Sequence, residues 1–290
     1  MRRACIDIGS NTTRLLVADC DDEGLVEVHQ ERSFTHVRRG LTADEEIGAG
    51  KIAEVAAVVA AQLETARALG ATEVRGVATA AVRQAANRDA LLAAVRTACG
   101  LEISVLSAEE EARLAFRGAA QTLAFVPAGP LGVVDVGGGS CELVVGTAPD
   151  QVTWFASFEL GSGQLVDDCL PSDPPSADEL ARARARVSEV LDGVQPPPAA
   201  RVVAVGGSAT SLRRIAGPLL DAGVFARVLA LLSAEPAAVL AGHFGLDADR
   251  VRLLPAGLLI LEVAAQRFGA PLEVGRGGLR EGLLLDVPDG

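Results

Sequence analysis

The hydrophobic pattern of this chain begins with two apolar runs separated by a short polar turn, and the same arrangement occurs twice. In residues 5–17 an apolar run ends around Asp7, a glycine-bearing turn follows at 9–12, and a second apolar run leaves the turn. Residues 133–145 repeat this order without a gap and carry Asp135 at the matching position. The β-branched character of both runs predicts a strand, a tight turn and a second strand in each copy.

Strands and helices alternate along the rest of the chain. In residues 50–69 the apolar positions recur on one face of a helix. Alternation of this kind predicts an α/β fold with parallel pairing in part of the sheet. The other predicted elements are strands at 25–32, 73–78, 101–106, 151–159, 201–205 and 272–274, and helices at 89–99, 176–193, 235–243 and 256–268, with two further helices that begin at 107 and after the glycines at 206–207.

A stretch with glycine and two prolines, residues 118–130, separates the two copies of the hairpin. At 290 residues the chain is long enough for about two domains, each able to bury its own core. We therefore predict a first domain over residues 1–124 and a second over residues 125–290. Within the second domain, residues 161–175 are rich in glycine, aspartate and proline, and they predict a loop.

Both turns carry the chemistry of an anion site. Glycine lets backbone N–H groups converge on an anion because no Cβ blocks the approach, and hydroxyl side chains add donors. One such turn is weak support, since most glycine-rich hairpins bind nothing. Two related turns predict one polyphosphorylated ligand in a cleft between two related domains, with the two aspartates placed to share a divalent metal.

The helix that follows Ser107 begins with three consecutive acids. Ser107 as N-cap and Glu110 at the third helical position form a predicted capping box. The helix macrodipole accounts for Glu109 and Glu110, because negative charge is favourable at a helix N-terminus. It accounts less well for Glu111, which lies where a hydrophobic staple would place an apolar residue. Glu111 is therefore a candidate functional residue.

Two further features each have two interpretations. The strand at 201–205 runs into residues 206–208, Gly-Gly-Ser, which predict either an anion site at a helix N-terminus or a tight turn between a strand and a helix. The helix after Ser176 carries three arginines, which favour a solvated face over a binding site. The sequence alone does not separate these alternatives at residues 206–208.

The composition argues against a nucleic-acid-binding protein and against a membrane protein. The net charge of −12 disfavours nucleic-acid binding, because affinity for a phosphate backbone depends on an extended basic surface. The mean hydropathy of +0.31 comes largely from alanine, and no apolar run approaches the length of about 20 residues that spans a membrane. Five cysteines without metal-site spacing indicate reduced thiols. We therefore expect a cytoplasmic protein with no membrane or nucleic-acid partner.

Together these segments resemble the exopolyphosphatase / guanosine pentaphosphate phosphohydrolase (Ppx/GppA) family of the actin-like ATPase superfamily. The turns at 7–12 and 135–142 are shared across the superfamily, whereas Ser-x-x-Glu-Glu-Ala-Arg-Leu at 107–114 points to this family. The resemblance covers nearly the whole chain, in a short form without additional C-terminal helical domains. It is also carried by residues 79–83, 205–211 and 279–282.

The resemblance implies an α/β fold of two ribonuclease-H-like domains with the active site in the interdomain cleft. It implies hydrolysis of a terminal phosphoanhydride of inorganic polyphosphate or pppGpp, with Mg²⁺, in a homodimer. The catalytic base of the family falls on Glu111, and Arg83 matches an arginine that orients phosphate. Asp7, Asp135 and Glu142 match the acids that organise metal and water, and Glu142 is also assigned to catalysis. The implied phosphate-binding residues are Gly9, Ser10, Asn11, Thr12, Gly138, Gly139, Ser140, Gly207, Ser208 and Arg280.

Three positions depart from the pattern of the family. Gln164 stands where family members usually have an arginine, Arg252 stands where an aspartate is expected, and Cys141 replaces a usual threonine. Exopolyphosphatase is the leading hypothesis. The alternatives are a pppGpp 5′-phosphohydrolase, a degenerate member that binds (p)ppGpp or polyphosphate and regulates a partner, and an ATP-using sugar kinase. The kinase is disfavoured because Glu111 lies in a phosphatase-type motif, and no residue separates the two hydrolases.

Overall fold

The computed structural model describes residues 1–21, 24–125 and 127–286, and the backbone divides into two compact units. The first unit comprises Met1–Leu114 together with the residues from Leu279 onward, and the second comprises Ala115–Gly278. The predicted domains over 1–124 and 125–290 include residues 22, 23, 126 and 287–290, which lie outside the described residues.

The units differ from the predicted domain ranges in two places. The boundary falls inside a continuous helix, α4 (Ala108–Gln121), rather than in the glycine- and proline-bearing stretch that follows it. Gly118, where that stretch was predicted to begin, lies within α4, since the alanines around it continue the helix. A short C-terminal helix, α11 (Leu279–Leu285), groups with the first unit.

The first unit is built on a five-stranded sheet in the order β3-β2-β1-β4-β5. The first three strands form an antiparallel meander, and the last two add in parallel beside β1. The predicted hairpin and the predicted parallel pairing are confirmed. The strands are β1 (Arg2–Ile8), β2 (Thr13–Asp21), β3 (Gly24–Ser33), β4 (Glu73–Ala78) and β5 (Ile103–Val105), and the helices other than α4 and α11 are α1 (Ala49–Ala68), α2 (Ala80–Gln84) and α3 (Arg88–Cys99).

The two faces of this sheet are covered by different helices. Ile6 and Ile8 pack with α1 and α3, whose buried positions include Val59 and Leu63 on the apolar face that the sequence predicted. Full burial of one such leucine contributes about 1.5–3 kcal/mol to stability. Cys5 belongs to the other face, where it packs with Leu283 and Leu284 of α11. Since side chains alternate along a strand, Asp7 lies on the same face as Cys5, the face that α11 covers.

The second unit repeats this sheet topology and extends it by one strand, in the order β10-β11-β9-β6-β7-β8. Its meander is again antiparallel, β9 and β11 follow in parallel, and β10 closes the edge in the antiparallel sense. The strands are β6 (Leu131–Val136), β7 (Cys141–Thr147), β8 (Gln151–Phe158), β9 (Arg201–Val205), β10 (Leu219–Leu220) and β11 (Leu272–Val274), and the helices are α5 (Ser162–Cys169), α6 (Ala177–Val190), α7 (Gly206–Ala216), α8 (Ala222–Leu232), α9 (Ala237–Phe244) and α10 (Ala248–Phe268).

The longest helix of the second unit, α10, is buried on nearly all sides and packs against α5, α6, α7, α8 and α9. The sequence predicted that it begins at Ala256 after Pro255, and this boundary is wrong because the helix begins at Ala248. A proline inside a helix removes one hydrogen bond and costs about 3 kcal/mol. Burial of Leu253 and Leu254 offsets that cost, which a local pattern centred on the proline does not reveal.

The predicted loop at 161–175 is also wrong in part, because α5 occupies residues Ser162–Cys169. Its glycine and aspartates suggest a loop, but Leu165 and Val166 are buried in the main core of the second unit. Tertiary packing therefore overrides a weak local helix propensity. The short helix begins directly after Gly161, a position that contributes to the site described below.

Within the described residues, no single helix has both the length and the apolar composition needed to span a membrane. Among the helices that the structure describes, the pair α8 and α9 taken together reaches that length and composition, and the two are bent by 120° at the break between them. Both helices bury residues inside the second unit, among them Phe225 and Leu240. The sequence did not predict α8.

Candidate active site

The two hairpin turns have the same backbone geometry. In the first, the N–H of Gly9 donates to the carbonyl oxygen of Thr12 at 3.0 Å. In the second, the N–H of Gly137 donates to the carbonyl oxygen of Ser140 at 3.0 Å. The predicted repeat is therefore confirmed at the level of a single hydrogen bond.

In the first turn, the carbonyl groups are bound by a neighbouring loop that leads into a short 3₁₀-helix, Arg38–Gly40. The carbonyl of Ser10 accepts from the N–H of Arg38, and that of Asn11 accepts from the N–H of His36, each at 3.0 Å. Because C=O and N–H point in opposite directions across a planar trans peptide, the N–H groups of Asn11 and Thr12 point away from this loop. The Nδ2 atom of Asn11 is buried and has no hydrogen-bond partner among the described residues. The turn thus offers several donors to an anion.

In the second turn, the N-terminus of α5 binds the carbonyl groups. The carbonyl of Gly137 accepts from the N–H of Ser162 at 2.9 Å, and that of Gly138 accepts from the N–H of Gly163 at 3.0 Å. By the same peptide geometry, the N–H groups of Gly138 and Gly139 point away from α5. Two successive N–H groups that point to one side form an anion-binding concavity.

The contact between α5 and the second turn is close enough to require glycine. A Cβ atom on Gly161 would lie 2.2 Å from backbone atoms of Gly138 and Gly139, which no side chain tolerates. Gln164, which departs from the family's usual arginine, donates its backbone N–H to the carbonyl of Gly138 at 3.2 Å. This residue therefore supports the turn through its backbone, whatever the role of its side chain.

The acids at the start of α4 have different partners. The predicted capping box is confirmed, since the N–H of Ser107 donates to Glu110 at 2.7 Å and the N–H of Glu110 donates to the Ser107 hydroxyl at 3.2 Å. Glu111 is instead buried, with 4% of its surface exposed, and accepts a hydrogen bond from Nη1 of Arg83. The same Nη1 donates to the carbonyl of Leu106 at 2.8 Å. A buried carboxylate is thus held by a guanidinium that is itself anchored.

Arg83 and Glu111 were assigned separately from the sequence, and the structure brings them together from α2 and α4. The ion pair is largely buried, because the Arg83 side chain is 24% exposed and that of Glu111 is 6% exposed. Loss of one partner from a buried pair leaves an uncompensated charge, which is strongly unfavourable. In this structure Arg83 holds Glu111, and its role in orienting phosphate stays a prediction.

Asp7 lies near the end of β1, and its Oδ1 atom is buried without a hydrogen-bond partner among the described residues. Burial raises the pKa of Asp7 above its ordinary value, whereas Arg14 and Arg280 act to lower that pKa and Glu281 acts to raise it further. Two cations and one further acid therefore surround this carboxylate. An unpartnered buried acceptor in such surroundings is available to a cation or to water.

Asp135 and Glu142 lie directly opposite each other on β6 and β7, so their side chains share one face of the second sheet. Glu142 is 3% exposed and accepts a hydrogen bond from the Ser157 hydroxyl at 2.9 Å. Asp135 lies beside the start of α7, where Gly206 has φ of +87° and a Cβ would be 2.6 Å from Oδ1 of Asp135. Two neighbouring carboxylates repel each other, and a bound cation relieves that repulsion.

The remaining predicted phosphate-binding residues lie at the first turn of α7. Ser208 is 1% exposed, and its hydroxyl lies against Gly257 of α10 with no hydrogen-bond partner among the described residues. A phosphate contact at Gly207 and Ser208 would therefore use the backbone N–H groups that the first turn of a helix leaves without an intrahelical partner.

The predicted metal-binding acids suit a divalent ion that takes only some of its ligands from the protein. In the described ranges, no group of three or more His, Cys, Asp or Glu side chains could hold a metal by itself. Mg²⁺ is usually held by one or two carboxylates, several waters and the phosphates of a substrate. The unpartnered oxygen of Asp7 in the first unit, and separately the facing acids Asp135 and Glu142 in the second unit, offer the carboxylate oxygens that such an ion prefers.

Four residues of these surroundings were not singled out from the sequence: Arg14, Ser157, Gly161 and Glu281. Arg14 could have been found, because a tight turn fixes which residues face each other across a hairpin, and here it pairs with Asp7. Ser157 faces Glu142 only after a register shift between β7 and β8, which the sequence does not reveal. Gly161 and Glu281 act through tertiary contacts.

The five cysteines are free thiols, as expected. Burial raises the pKa of Cys5 and of Cys141 above the ordinary thiol value, so the neutral thiol is favoured at both positions. Cys141, the residue that replaces a usual threonine, is fully buried in the core of the second unit.

The family model of the Ppx/GppA phosphatase family matches residues 16–289. The chain belongs to this family. Exopolyphosphatase 2 of Mycobacterium tuberculosis is 36% identical over 201 residues, which cover 66% of this chain and 62% of that relative's own length. Exopolyphosphatase 1 of Mycobacterium bovis is 31% identical over 310 residues, which cover 98% of this chain and 88% of that protein.

Solved structures of Ppx/GppA proteins have the same fold. The crystal structure of the Aquifex aeolicus family member is similar to this chain with a TM-score of 0.82 at 28% identity, covering 98% of this chain and 96% of that one. An exopolyphosphatase from Cytophaga hutchinsonii has a TM-score of 0.86 at 21% identity, covering 98% of this chain and 97% of its own. The predicted α/β architecture of the actin-like ATPase fold is confirmed.

Proposed function

We propose that this member of the Ppx/GppA family is an exopolyphosphatase that hydrolyses the terminal phosphoanhydride of inorganic polyphosphate, with Mg²⁺ as cofactor. The observation that carries the proposal is the buried ion pair of Glu111 and Arg83, in the motif where the family has its catalytic base. The names of the two mycobacterial relatives favour polyphosphate over pppGpp. The duplicated turns supply donors suited to a polyphosphorylated chain.

In the proposed reaction, Glu111 is the general base. A water oxygen attacks the terminal phosphorus, the water proton moves to the Glu111 carboxylate, and the bridging P–O bond breaks with its electron pair on the shortened chain. A positioned base contributes about 10²–10⁴-fold to the rate of such a step. Arg83 fixes the direction of this carboxylate, because a guanidinium donates a charge-assisted hydrogen bond in a defined geometry.

The other assigned residues bind and orient the substrate. Phosphoryl transfer depends mainly on positioning and charge stabilisation, which suits N–H groups at two turns, in residues 9–12 and 138–140. Arg280 adds a cation next to Asp7. Asp7, Asp135 and Glu142 would hold Mg²⁺, which when bound neutralises charge on the phosphate oxygens.

The direct test is release of phosphate from long-chain polyphosphate by the purified protein, with Mg²⁺ and with a chelator. We expect turnover that requires the divalent ion. The same assay with pppGpp, followed by competition at equal phosphate concentration, ranks the two substrates. Tight binding of polyphosphate or (p)ppGpp without phosphate release under any divalent ion would instead support the regulator hypothesis.

The role of Glu111 is tested by Glu111→Gln, which keeps the shape of the side chain and removes its basicity. We expect kcat to fall by about 10²–10⁴-fold while polyphosphate binding persists. The matched control is Glu109→Gln, the same chemical change at an exposed position of the same helical turn. Retained turnover in Glu111→Gln would contradict the assigned base, and an equal loss in Glu109→Gln would point to the helix rather than to the residue.

A homodimer and a cytoplasmic location complete the proposal by analogy with the family. Light scattering coupled to size-exclusion chromatography tests the first, with twice the chain mass expected. Cell fractionation of the native host tests the second, with the protein expected in the supernatant after membranes are removed.

A further inference from the structure

The starting point is the short helix α11, which brings charge to Asp7. The carbonyl of Arg280 accepts a hydrogen bond from the thiol of Cys5 at 3.8 Å, so the helix lies over β1 two residues before Asp7. The guanidinium of Arg280 lies 4.0 Å from the carboxylate of Glu281 and 3.4 Å from the Gln30 side chain. The position of α11 therefore decides where the Arg280 cation lies.

The helix cannot fix that position by itself. It has 7 residues, and isolated helices shorter than about 12 residues are marginal in water. Its apolar anchors, Leu283 and Leu284, belong to a small cluster of buried residues on that face of the sheet. Other contacts must therefore hold its C-terminal end.

Three arginines meet that end. Nη1 of Arg75 on β4 donates to the carbonyls of Leu283 and Asp286, each at 2.7 Å. Nη1 of Arg3 on β1 donates to the carbonyl of Leu284 at 3.1 Å. These bonds satisfy carbonyls that the last turn of a helix leaves without intrahelical partners, and cations are favourable at a helix C-terminus.

The third arginine ties α11 to the helix that carries Glu111. Arg113 of α4 forms a two-point ion pair with the Asp286 carboxylate, with Nη1 to Oδ1 at 3.0 Å and Nη2 to Oδ2 at 2.8 Å. Two parallel charge-assisted bonds fix orientation as well as distance. We call Arg3, Arg75 and Arg113 the arginine clamp.

The clamp borders a space that apolar packing leaves unfilled. A cavity of about 430 Å³ lies within the first unit, and its lining includes Arg75, Arg113, Leu283 and Asp286. Close packing would hold a helix through many small contacts, but a cavity provides no atoms to make them. On this side of α11 the arginines therefore replace the missing packing.

We propose that the arginine clamp is a set of positioning residues that holds α11 over β1, on the face of the sheet that carries Asp7, and thereby fixes where Arg280 lies. The clamp touches neither substrate nor reacting atoms, and it acts through Arg280. The inference rests on the proposed function, in which Arg280 binds phosphate of the polyphosphate chain. It predicts that loosening the clamp weakens substrate binding more than it slows the chemical step.

The test is a double-mutant cycle on KM for polyphosphate. We expect Arg280→Ala to raise KM by about 30-fold and Asp286→Ala to raise it by about fivefold, with kcat in Asp286→Ala within about twofold of wild type. In the double variant KM should stay within about twofold of Arg280→Ala alone, because residues that act as one unit are not additive. Independent effects that multiply, or an unchanged KM in Asp286→Ala, would overturn the proposal.

Two further variants keep the test decisive. Arg113→Lys keeps the charge but loses the two-point geometry, so KM should shift in the same direction by a smaller factor even if Asp286→Ala folds poorly. The control is Glu54→Ala, which removes an ion pair with Lys51 at an exposed position of α1, on the opposite face of the sheet, and should leave KM unchanged.

A second readout separates failure of the clamp from failure of the proposed function. Hydrogen exchange of residues 279–285 should accelerate in Asp286→Ala and not in Glu54→Ala, whether or not the protein hydrolyses polyphosphate. Faster exchange without any wild-type turnover would reject the proposed function and keep the holding role of the clamp. Unchanged exchange would reject the clamp itself, whatever the activity.

Discussion

The hairpin of the first unit and the hairpin of the second are close copies in backbone and opposites in charge. Each pairs its aspartate with the residue two positions beyond the turn, Asp7 with Arg14 and Asp135 with Glu142. Each meander also shifts register at the same place, after Val17 in one and after Val145 in the other. The fold has therefore been duplicated in detail, while the chemistry opposite the aspartate has changed sign.

This difference assigns different roles to the two copies. Around Asp7, Arg14 and Arg280 provide positive charge, which favours phosphate oxygens. Around Asp135, Glu142 provides a second carboxylate, and a pair of carboxylates favours a divalent cation. We infer that the first copy contributes mainly to binding the phosphate chain and the second mainly to holding the metal.

The supports of the two turns differ as well. The first turn is bound by His36 and by Arg38, which opens a three-residue 3₁₀-helix (Arg38–Gly40), and the second is bound by the N-terminus of α5. An α-helix of 8 residues is more rigid than a 3₁₀-helix of 3 residues, because more intrahelical hydrogen bonds fix its backbone. The second turn is therefore the more tightly constrained of the two.

The largest effect is expected from a comparison of Glu142→Gln with Arg14→Gln. Glu142→Gln should lower kcat by about 100-fold and raise the Mg²⁺ concentration needed for half-maximal turnover, because it removes a proposed metal ligand. Arg14→Gln should raise KM for polyphosphate by about tenfold with a smaller change in kcat, because it removes a cation beside the phosphate site. Steady-state kinetics at several Mg²⁺ concentrations separates the two.

The assignment of different roles to the two hairpins is wrong if both variants change the same kinetic parameter. Equal increases in KM with no change in metal dependence would show that the two copies act alike. Ser157→Ala is the matched control for the second copy, since it removes a hydrogen bond from Glu142 while keeping its charge. We expect this variant to have a smaller effect on kcat than Glu142→Gln.

The sequence predicted the backbone features that the two units share more completely than the charges that distinguish them. The hairpins, the capping boxes and the buried face of α1 follow from local patterns, because turn chemistry and helical periodicity act over a few residues. Arg14 follows from the register of the first turn. The second cation that acts on Asp7, Arg280, lies far away in sequence, so no local pattern predicts that the two charges act on the same carboxylate.

Other parts of the site depend on packing that no local pattern contains. The sequence predicted a loop where α5 supports the second turn, because its glycine and aspartates conceal the burial of Leu165 and Val166. It predicted a unit boundary after α4, whereas the division falls within that helix. The contact of Arg83 with Glu111 also joins two elements that are distant in sequence, so each residue was assigned without the other.

A smaller effect is expected on stability, and it tests how tightly the backbone around each hairpin turn is packed. Gly161→Ala should destabilise the protein by about 1–3 kcal/mol, because the new Cβ would overlap the backbone of Gly138 and Gly139. Gly9→Ala should cost less, since its Cβ would lie 3.0 Å from the carbonyl oxygen of Thr12 and meet no helix. Urea denaturation followed by circular dichroism measures both.

The control for this pair is Gly242→Ala in α9, where a Cβ would meet nothing within 4 Å. This change should be neutral or stabilising by up to about 1 kcal/mol, since alanine favours a helix over glycine. If Gly161→Ala lowers the free energy of unfolding no more than Gly9→Ala does, then the second turn is not the more tightly constrained of the two.

The smallest expected effect is a pH-dependent difference in stability between the capping boxes of the two units. Hydrogen bonds from Ser176 and Ser172 lower the pKa of Glu179 in the second unit from its ordinary 4.5 to about 2. Hydrogen bonds from Ser107 lower the pKa of Glu110 in the first unit as well. Glu179 has the additional partner Ser172, so we expect its charge to stabilise the fold more than that of Glu110.

A carboxylate with a lowered pKa stabilises the folded state above its ordinary pKa, and this contribution is lost as the pH falls through the folded value. Glu179→Gln should therefore lower Tm at pH 7 by more than Glu110→Gln, because glutamine keeps a cap but loses the charge. The deficit of Glu179→Gln should shrink between pH 4.5 and about pH 2. Glu189→Gln makes the same chemical change at an exposed position of the same helix and is the control variant. A deficit that persists at the acid end would mean that packing of Glu179, rather than its ionisation, distinguishes the second unit from the first.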